Sequence, residues 1–514
     1  MNDRNFQNLS DQELEALMRA GASSLPPDDG LVEEITPWRR AMKRALLGIA
    51  LNLVTLNFWC LNYLLPAIGT LLLLLGFRAL RRENRGFALC WHLALLQAAV
   101  RYACLILNAA VWQAEVYQLP WMRPLPYVLS FVSFVQALGL RAGFRTARQK
   151  AGLAPAAPGT TALAVWYLIM CALALVNYTG FLGWVLILAY FIILRTLWKL
   201  PRQLEEAGYA IRLAPVRFSD FALGAGITGA LAAGIAGCYL FASGYDMGWV
   251  PVPEREQMGL DELREELLDL GFPENVLNDL TAEDLAICEG AIRIFVDQGD
   301  YPVNGGRLVT REESGYHVQT RVYDVNELRI TGVAVELPGE REHWRIIHHF
   351  EWIVDPGFHG TESLQFWPAY HIEEGWSKGG EATGRVLYDR DGTTYAAPYH
   401  YLGERSYQSD TMFWGKQQNN DLFAAFSFPA RGQRQRGYVA YDTLENADGY
   451  IMDSWINYTH QNSWLQYPVR TAMENRMRGS WNLSGTFSLV QTAIQFYPND
   501  PEDFSDNGYT IIQE

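Results

Sequence analysis

Residues 46–80 read LLGIALNLVTLNFWCLNYLLPAIGTLLLLLGFRAL, 35 positions interrupted by Asn52, Asn57, Asn62, Pro66 and Arg78. A helix crosses a bilayer with ~20 apolar residues, so this run is too long for one span. It reads as a hairpin of two short helices that turns near residues 62–66. Further apolar runs follow at 87–111, 127–140, 161–176, 181–194 and 221–244. The fold class expected here is a membrane α-helical bundle of seven transmembrane helices, or six if 46–65 lies in the interface.

Lys and Arg gather between alternate runs. One cluster is Arg39, Arg40, Lys43 and Arg44; the next is Arg78, Arg81, Arg82 and Arg85. A third is Arg141, Arg145, Arg148 and Lys150, and a fourth runs from Arg195 through Lys199, Arg202 and Arg212 to Arg217. The loop 112–126 holds only Arg123, and 177–180 holds no base. Cytoplasmic loops carry the excess of Lys and Arg. A seven-helix count with the N-terminus in the cytoplasm satisfies every loop and puts residues 245–514 outside it. The expected location is the plasma membrane. No cleavable signal is visible in the polar, acidic N-terminus, so the first spans must direct insertion.

Charge divides along the same line. Residues 245–514 carry 43 Asp or Glu against 20 Lys or Arg, whereas 36–244 carry 5 against 19. The mean hydropathy of −0.05 therefore averages two halves built for different environments. A net charge of −15 argues against nucleic-acid binding, which needs cations to neutralise phosphates. Cys60, Cys90, Cys104, Cys171 and Cys238 lie in apolar runs, and Cys288 stands alone outside them. No disulfide scaffold is expected.

Four regions follow. Residues 1–45 read as a cytoplasmic head with amphipathic helices. Ser10-Asp-Gln-Glu13 is a capping box, and Thr36-Pro37 opens a second helix whose Trp38 and four bases suit the membrane surface. Residues 46–244 form the bundle, and 245–302 a linker and acidic helical neck. Residues 303–514 read as a mainly-β extracytoplasmic domain, sandwich or jelly-roll-like. Its clearest strand alternates Trp344, Ile346, His348, Phe350 and Trp352 with His343, Arg345, Ile347, His349 and Glu351. The second set reads as a solvated face. Asp391-Gly392 and Asp448-Gly449 are hairpin signals.

Two sets of residues are candidate sites. Arg101 is the ionisable residue inside a span, with Gln97 four positions before and Asn108 seven after on one helix face. Intramembrane ionisable residues mark functional positions or buried hydrogen-bond hubs, and this stripe reads as an anion or lipid-headgroup contact, or as such a hub. No carboxylate lies in any span, which disfavours ion-coupled transport. Outside the membrane, Trp367, Tyr370, Trp376, Tyr399, Tyr401 and Trp414 are candidate ligand contacts, since flat apolar rings with polar edges suit sugars and peptides. Core packing competes with that reading. No metal site, cofactor motif or catalytic constellation is recognisable.

The layout resembles membrane-tethered regulators of transcription in architecture alone, and seven spans exceed what a tether needs. The reading is a sensing or binding protein whose outer domain engages an envelope ligand: sugar, peptide or protein. The bilayer is one partner, and a cytosolic protein docking on residues 1–45 is another. The alternative is a membrane enzyme, or an accessory subunit of a transporter, acting on an envelope or lipid substrate.

Overall fold

Pro37 sits at the first position of a helix, where its missing N–H is no loss, and the chain stays helical to Leu53. The computed structural model describes residues 37–53, 60–176, 178, 180–211, 214–253, 256–303, 306–313, 316–367, 375–411, 415–464, 466–478, 485–498 and 511–513. The capping box at Ser10 and the linker after it lie outside the described residues. Two compact units form: Met1–Leu107 with Glu115–Ile235, and Asn108–Ala114 with Ala236–Glu514.

The helices in order are α1 (Pro37–Leu53), α2 (Leu61–Leu80), α3 (Arg85–Leu107), α4 (Gln113–Gln118), α5 (Leu125–Lys150), α6 (Pro158–Leu175), α7 (Leu182–Leu197), α8 (Lys199–Glu206) and α9 (Asp220–Phe241). Six stretches among the described residues are long and apolar enough to cross a membrane: α2, α3, α5, α6, α7 with α8, and α9.

The start of the bundle corrects the sequence reading. Residues 62–66 are not the turn; they lie inside the first turns of α2. Trp38 does not belong to a separate surface helix. It is fully buried, with its ring 5.9 Å from Phe87, 6.0 Å from Phe144 and 5.2 Å from Tyr209. Its Nε1 donates to the Pro201 carbonyl at 3.3 Å. Packing explains the difference. Trp38, Ala41, Met42, Ala45, Leu46 and Ile49 recur at helical spacing and are all buried, so α1 has an apolar stripe that the bundle covers. The boundary drawn at residue 45 falls inside this helix. A Cβ at Gly48 would stand 2.6 Å from the Gly69 carbonyl and from the Leu73 nitrogen; only glycine lets α1 and α2 approach so closely.

The basic clusters meet at one end of this unit. Arg44, midway along α1, and Arg78 at the end of α2 both reach Asp220 at the start of α9, at 2.5 and 3.3 Å. Lys150 at the end of α5 pairs with Glu83 at 2.7 Å, and Arg148 donates to Gln203 on α8 at 2.7 Å. Ala225, Gly229, Ala233 and Gly237 of α9 recur every four residues, a spacing that suits close helix packing. Instead no residue of α9 is buried, and Gly226, Gly229 and Gly237 have nothing within 4 Å of a built Cβ.

The second unit is built on two antiparallel sheets. Its strands are β1 (Val250–Pro251), β2 (Ile294–Tyr301), β3 (Arg307–Glu313), β4 (Tyr316–Val322), β5 (Leu328–Leu337), β6 (His343–Trp352), β7 (Glu362–Trp367), β8 (Trp376–Arg390), β9 (Thr393–Ala397), β10 (Tyr401–Thr411), β11 (Gly415–Phe426), β12 (Gln433–Glu445), β13 (Met452–Gln461), β14 (Phe487–Phe496) and β15 (Ile511–Gln513). One sheet has the order β1-β9-β8-β12-β6-β5-β2 and the other β10-β11-β7-β13-β14-β15; β3 and β4 pair separately. Ile346, Phe350, Leu364, Phe366, Val439 and Ile456 belong to the core shared by the two sheets. The face pairing of alternate residues makes this a sandwich.

The neck is three helices, α10 (Asp261–Asp269), α11 (Glu274–Asp279) and α12 (Ala282–Ala286). Their Leu267, Val276, Leu277 and Leu285 form a second core with Val333, Ile347 and Ala440 on the far face of the first sheet. That cover overturns the solvated-face reading of β6: Arg345 is 2% exposed and His349 0%. Two boundary details also differ. The helical pattern ends before Ile294, where β2 begins. Asp391-Gly392 does turn β8 into β9, with φ of 52° and 77°, but Asp448-Gly449 links β12 to β13, which lie in different sheets.

Candidate functional site

The ionisable residue flagged in α3 opens on a cavity. A space of about 250 Å³ inside the helical unit is lined by Gln97 and Arg101 of α3, Ser130, Ser133 and Gln136 of α5, and Asn52 of α1. Trp166, Tyr167 and Met170 of α6 close it with Ile49, Leu73, Leu129 and Ala174. Its lining contains no carboxylate. The Nε of Arg101 is buried and has no hydrogen-bond partner among the described residues. The polar neighbours are fixed in place: Gln97 donates to Ser133 Oγ at 3.2 Å, Gln136 donates to the Cys90 carbonyl at 3.2 Å, and Asn52 accepts from Thr70 at 3.0 Å. The amide, hydroxyl and guanidinium groups are thus arranged around a cation that the protein leaves unmatched. Such an arrangement can accept an anion by charge-assisted hydrogen bonds.

The sequence brought Gln97 and Arg101 together correctly, because four residues make one helical turn. Asn108 is not in the cavity. Helix α3 ends at Leu107, and Asn108 falls in the second unit, where its carbonyl accepts from Val469 at 2.8 Å. Asn52, Ser130, Ser133, Gln136 and Tyr167 were missed. Each sits on another helix, and a small polar residue in an apolar run carries no signal of where it points.

The outer aromatics separate into different roles. Trp376 and Tyr399 belong to the sandwich core, 5% and 8% exposed, and Tyr399 donates to the Tyr438 carbonyl at 2.8 Å. Tyr401 lies under the Arg405 guanidinium, 4.3 Å from its ring centroid, and donates to the Glu404 carbonyl. Trp367 pairs in register with Trp455 across β7 and β13, the rings nearly parallel at 10° and 6.4 Å apart. Tyr370 and Trp414 lie outside the described residues. Two of the four described candidates are therefore core and two, Trp367 and Tyr401, are half-buried, since large rings suit a sandwich interior as well as a binding face.

The second unit also holds buried charge under the neck. Asp279 of α11 accepts from Arg436 Nε at 2.8 and 2.9 Å and contacts His349 Nε2 at 2.9 Å. Burial pushes the Asp279 carboxyl up, but His349 and Arg436 outweigh it and hold it below the ordinary carboxylate value. Arg385 clasps Glu256 through both terminal nitrogens at 2.7 and 2.9 Å. Among the described residues, no three His, Cys, Asp or Glu side chains converge as metal ligands. These ion pairs join neck to sheet and do not line the cavity around Arg101. No protein-family model matches the chain, and no curated protein matches its sequence.

Proposed function

We propose that the chain is a multi-pass membrane protein of the binding or sensing class, with its ligand site in the bundle at Arg101. The observation that carries this reading is the buried Arg101 Nε, unpartnered in a polar cavity that holds no acid. An unpaired cation away from water is costly, and a hydrogen-bond hub would have satisfied it. The lining offers no carboxylate, histidine or cysteine to activate Ser130 or Ser133, which favours binding over catalysis. Carbohydrate or peptide binding by the outer sandwich is the second reading, and its support is the half-buried ring of Trp367, which lies parallel to the buried Trp455.

The convergence of basic clusters at one end of the bundle supports a cytoplasmic N-terminus and an extracytoplasmic sandwich, because positive ends stay inside. A reporter fused after Glu514 should give an extracytoplasmic signal; a cytoplasmic one overturns the orientation. Arg101 itself is tested by stability. In the lipid-stripped full chain, Arg101→Met removes an uncompensated charge and should stabilise the protein by about 1–3 kcal/mol. Thermal melting in a neutral detergent reads this out. A lower melting point for Arg101→Met makes Arg101 a structural hub and ends the reading.

A further inference from the structure

We infer that the Arg101 cavity holds the anionic headgroup of a membrane lipid, taken from the leaflet remote from the bundle's basic end, with the acyl chains left in the bilayer. The inference rests on the reading of Arg101 as an anion site.

Depth is the first argument. On α1, α3, α5 and α6 the lining residues run from mid-helix toward one end, and Leu73, nearer the basic end of α2, is the exception. Arg101 lies six residues before the end of α3, Ser130 five after the start of α5, Asn52 one before the end of α1 and Ala174 one before the end of α6. The basic clusters lie toward the opposite ends of α1, α3 and α5. At a rise of ~1.5 Å per residue, Arg101 is roughly 9 Å from the end of α3. Helix α3 has 23 residues, so it exceeds a hydrocarbon core of ~30 Å by a few ångström. Arg101 is then only a few ångström inside the apolar boundary, where a long cationic side chain reaches a headgroup.

Size is the second. Sites that enclose a whole small molecule run to ~300–1,000 Å³. A cavity of about 250 Å³ takes a headgroup-sized moiety and leaves the rest of an amphiphile outside.

The walls are the third argument. Arg101, Gln97 and Ser133 present polar groups inside, while Leu129, Met170 and Ala174 are apolar and half-exposed. Their chain neighbours Phe131, Ile169 and Leu175 are exposed apolar side chains, at 59%, 39% and 70%. Such a rim is continuous with a lipid-facing surface. A free anion would have to leave water and cross it; a headgroup already resides at that depth. The shared chemistry is a phosphate-type anion on a guanidinium, and the rim selects the lipid as its source.

The test uses the full chain in a neutral detergent. Equal amounts of phosphatidylglycerol and phosphatidylcholine are offered, and native mass spectrometry counts the lipid retained. The wild type should keep one phosphatidylglycerol in preference to phosphatidylcholine. Arg101→Gln should reduce that preference at least tenfold. Ala174→Leu, which fills the cavity and leaves the charge, should do the same, while Arg82→Gln at the basic end should not. Equal retention of the two lipids by the wild type, or an unchanged preference in both cavity variants, overturns the inference. A parallel melting series adds inorganic phosphate alone. If phosphate stabilises the wild type but not Arg101→Gln, and the lipids have no effect, the lipid source is wrong and the anion site stands. If neither probe distinguishes wild type from Arg101→Gln, both readings fall.

Discussion

Acidification from pH 7 to pH 4 should cost the wild-type sandwich about 3 kcal/mol more than it costs His348→Gln. His348 is 1% exposed within β6, and its Nε2 meets Ser454 Oγ at 2.8 Å. Tyr441 lies beside it, ring centroids 6.4 Å apart. Burial among these neutral groups lowers its pKa from 6.5 to about 3, because an imidazolium there would lose its hydration without a counter-charge. The folded-state value is depressed, so the unfolded chain binds the extra proton first. The contribution is therefore intact above pH 6.5 and lost on the way down to about 3, at ~1.4 kcal/mol per unit. Glu362 acts in the opposite sense: its burial raises the carboxyl, so the folded chain gains that proton earlier and offsets part of the loss. The comparison with His348→Gln removes the offset, since Glu362 is common to both proteins. Tryptophan-fluorescence melts of the two full chains at pH 7, 5.5 and 4 would measure it. Parallel pH curves would mean that His348 is solvated or charge-paired and would refute the burial argument.

His348 also shows what the chain could reveal before it folded. Alternation in residues 343–352 located β6 correctly, and the set with Trp344, Ile346 and Phe350 does face the core between the sheets. The other set was read as wet because Arg and His alternating on a strand usually face water. Here their partners are remote. Arg345 is matched by Asp284 on α12, and His349 by Asp279 on α11. Those pairings span 61 and 70 residues, and no local pattern encodes them. The cavity shows the same limit. Gln97 and Arg101 are one turn apart and could be read together, whereas Ser130 and Ser133 are ordinary polar positions until α5 packs on α3. Where α3 stops decided Asn108: periodicity places it on the right face, but the helix ends one residue earlier. Trp38 failed for a related reason. Four neighbouring bases suggested a surface helix, and the apolar stripe beneath them proved the stronger determinant.

The pairing of Asp284 with Arg345 carries the second large effect. Asp284→Ala should destabilise the sandwich by about 3 kcal/mol, the low end for breaking a buried ion pair, because Arg345 keeps a second carboxylate, Asp442, at 2.9 Å. Asp284 Oδ1 accepts from Arg345 at 2.7 Å and from Thr383 at 2.5 Å, and Oδ2 accepts from the Tyr438 hydroxyl. Side-chain exposure is 2% for Arg345 and 5% for Asp284, so water cannot replace the lost carboxylate. A solvent-exposed pair would contribute only about 0–1 kcal/mol, and burial is what separates the two expectations. Arg345→Met should cost a similar amount, because it strands Asp284 instead. The double variant should cost less than the sum of the two singles by about 1–3 kcal/mol, since neither charge is then left alone. Amide exchange should localise the damage: α10, α11 and α12 lose protection before the inter-sheet core does, because these contacts join the neck to the far face of the first sheet. Additive effects in the double variant would show that the two side chains act independently and would refute the pairing argument.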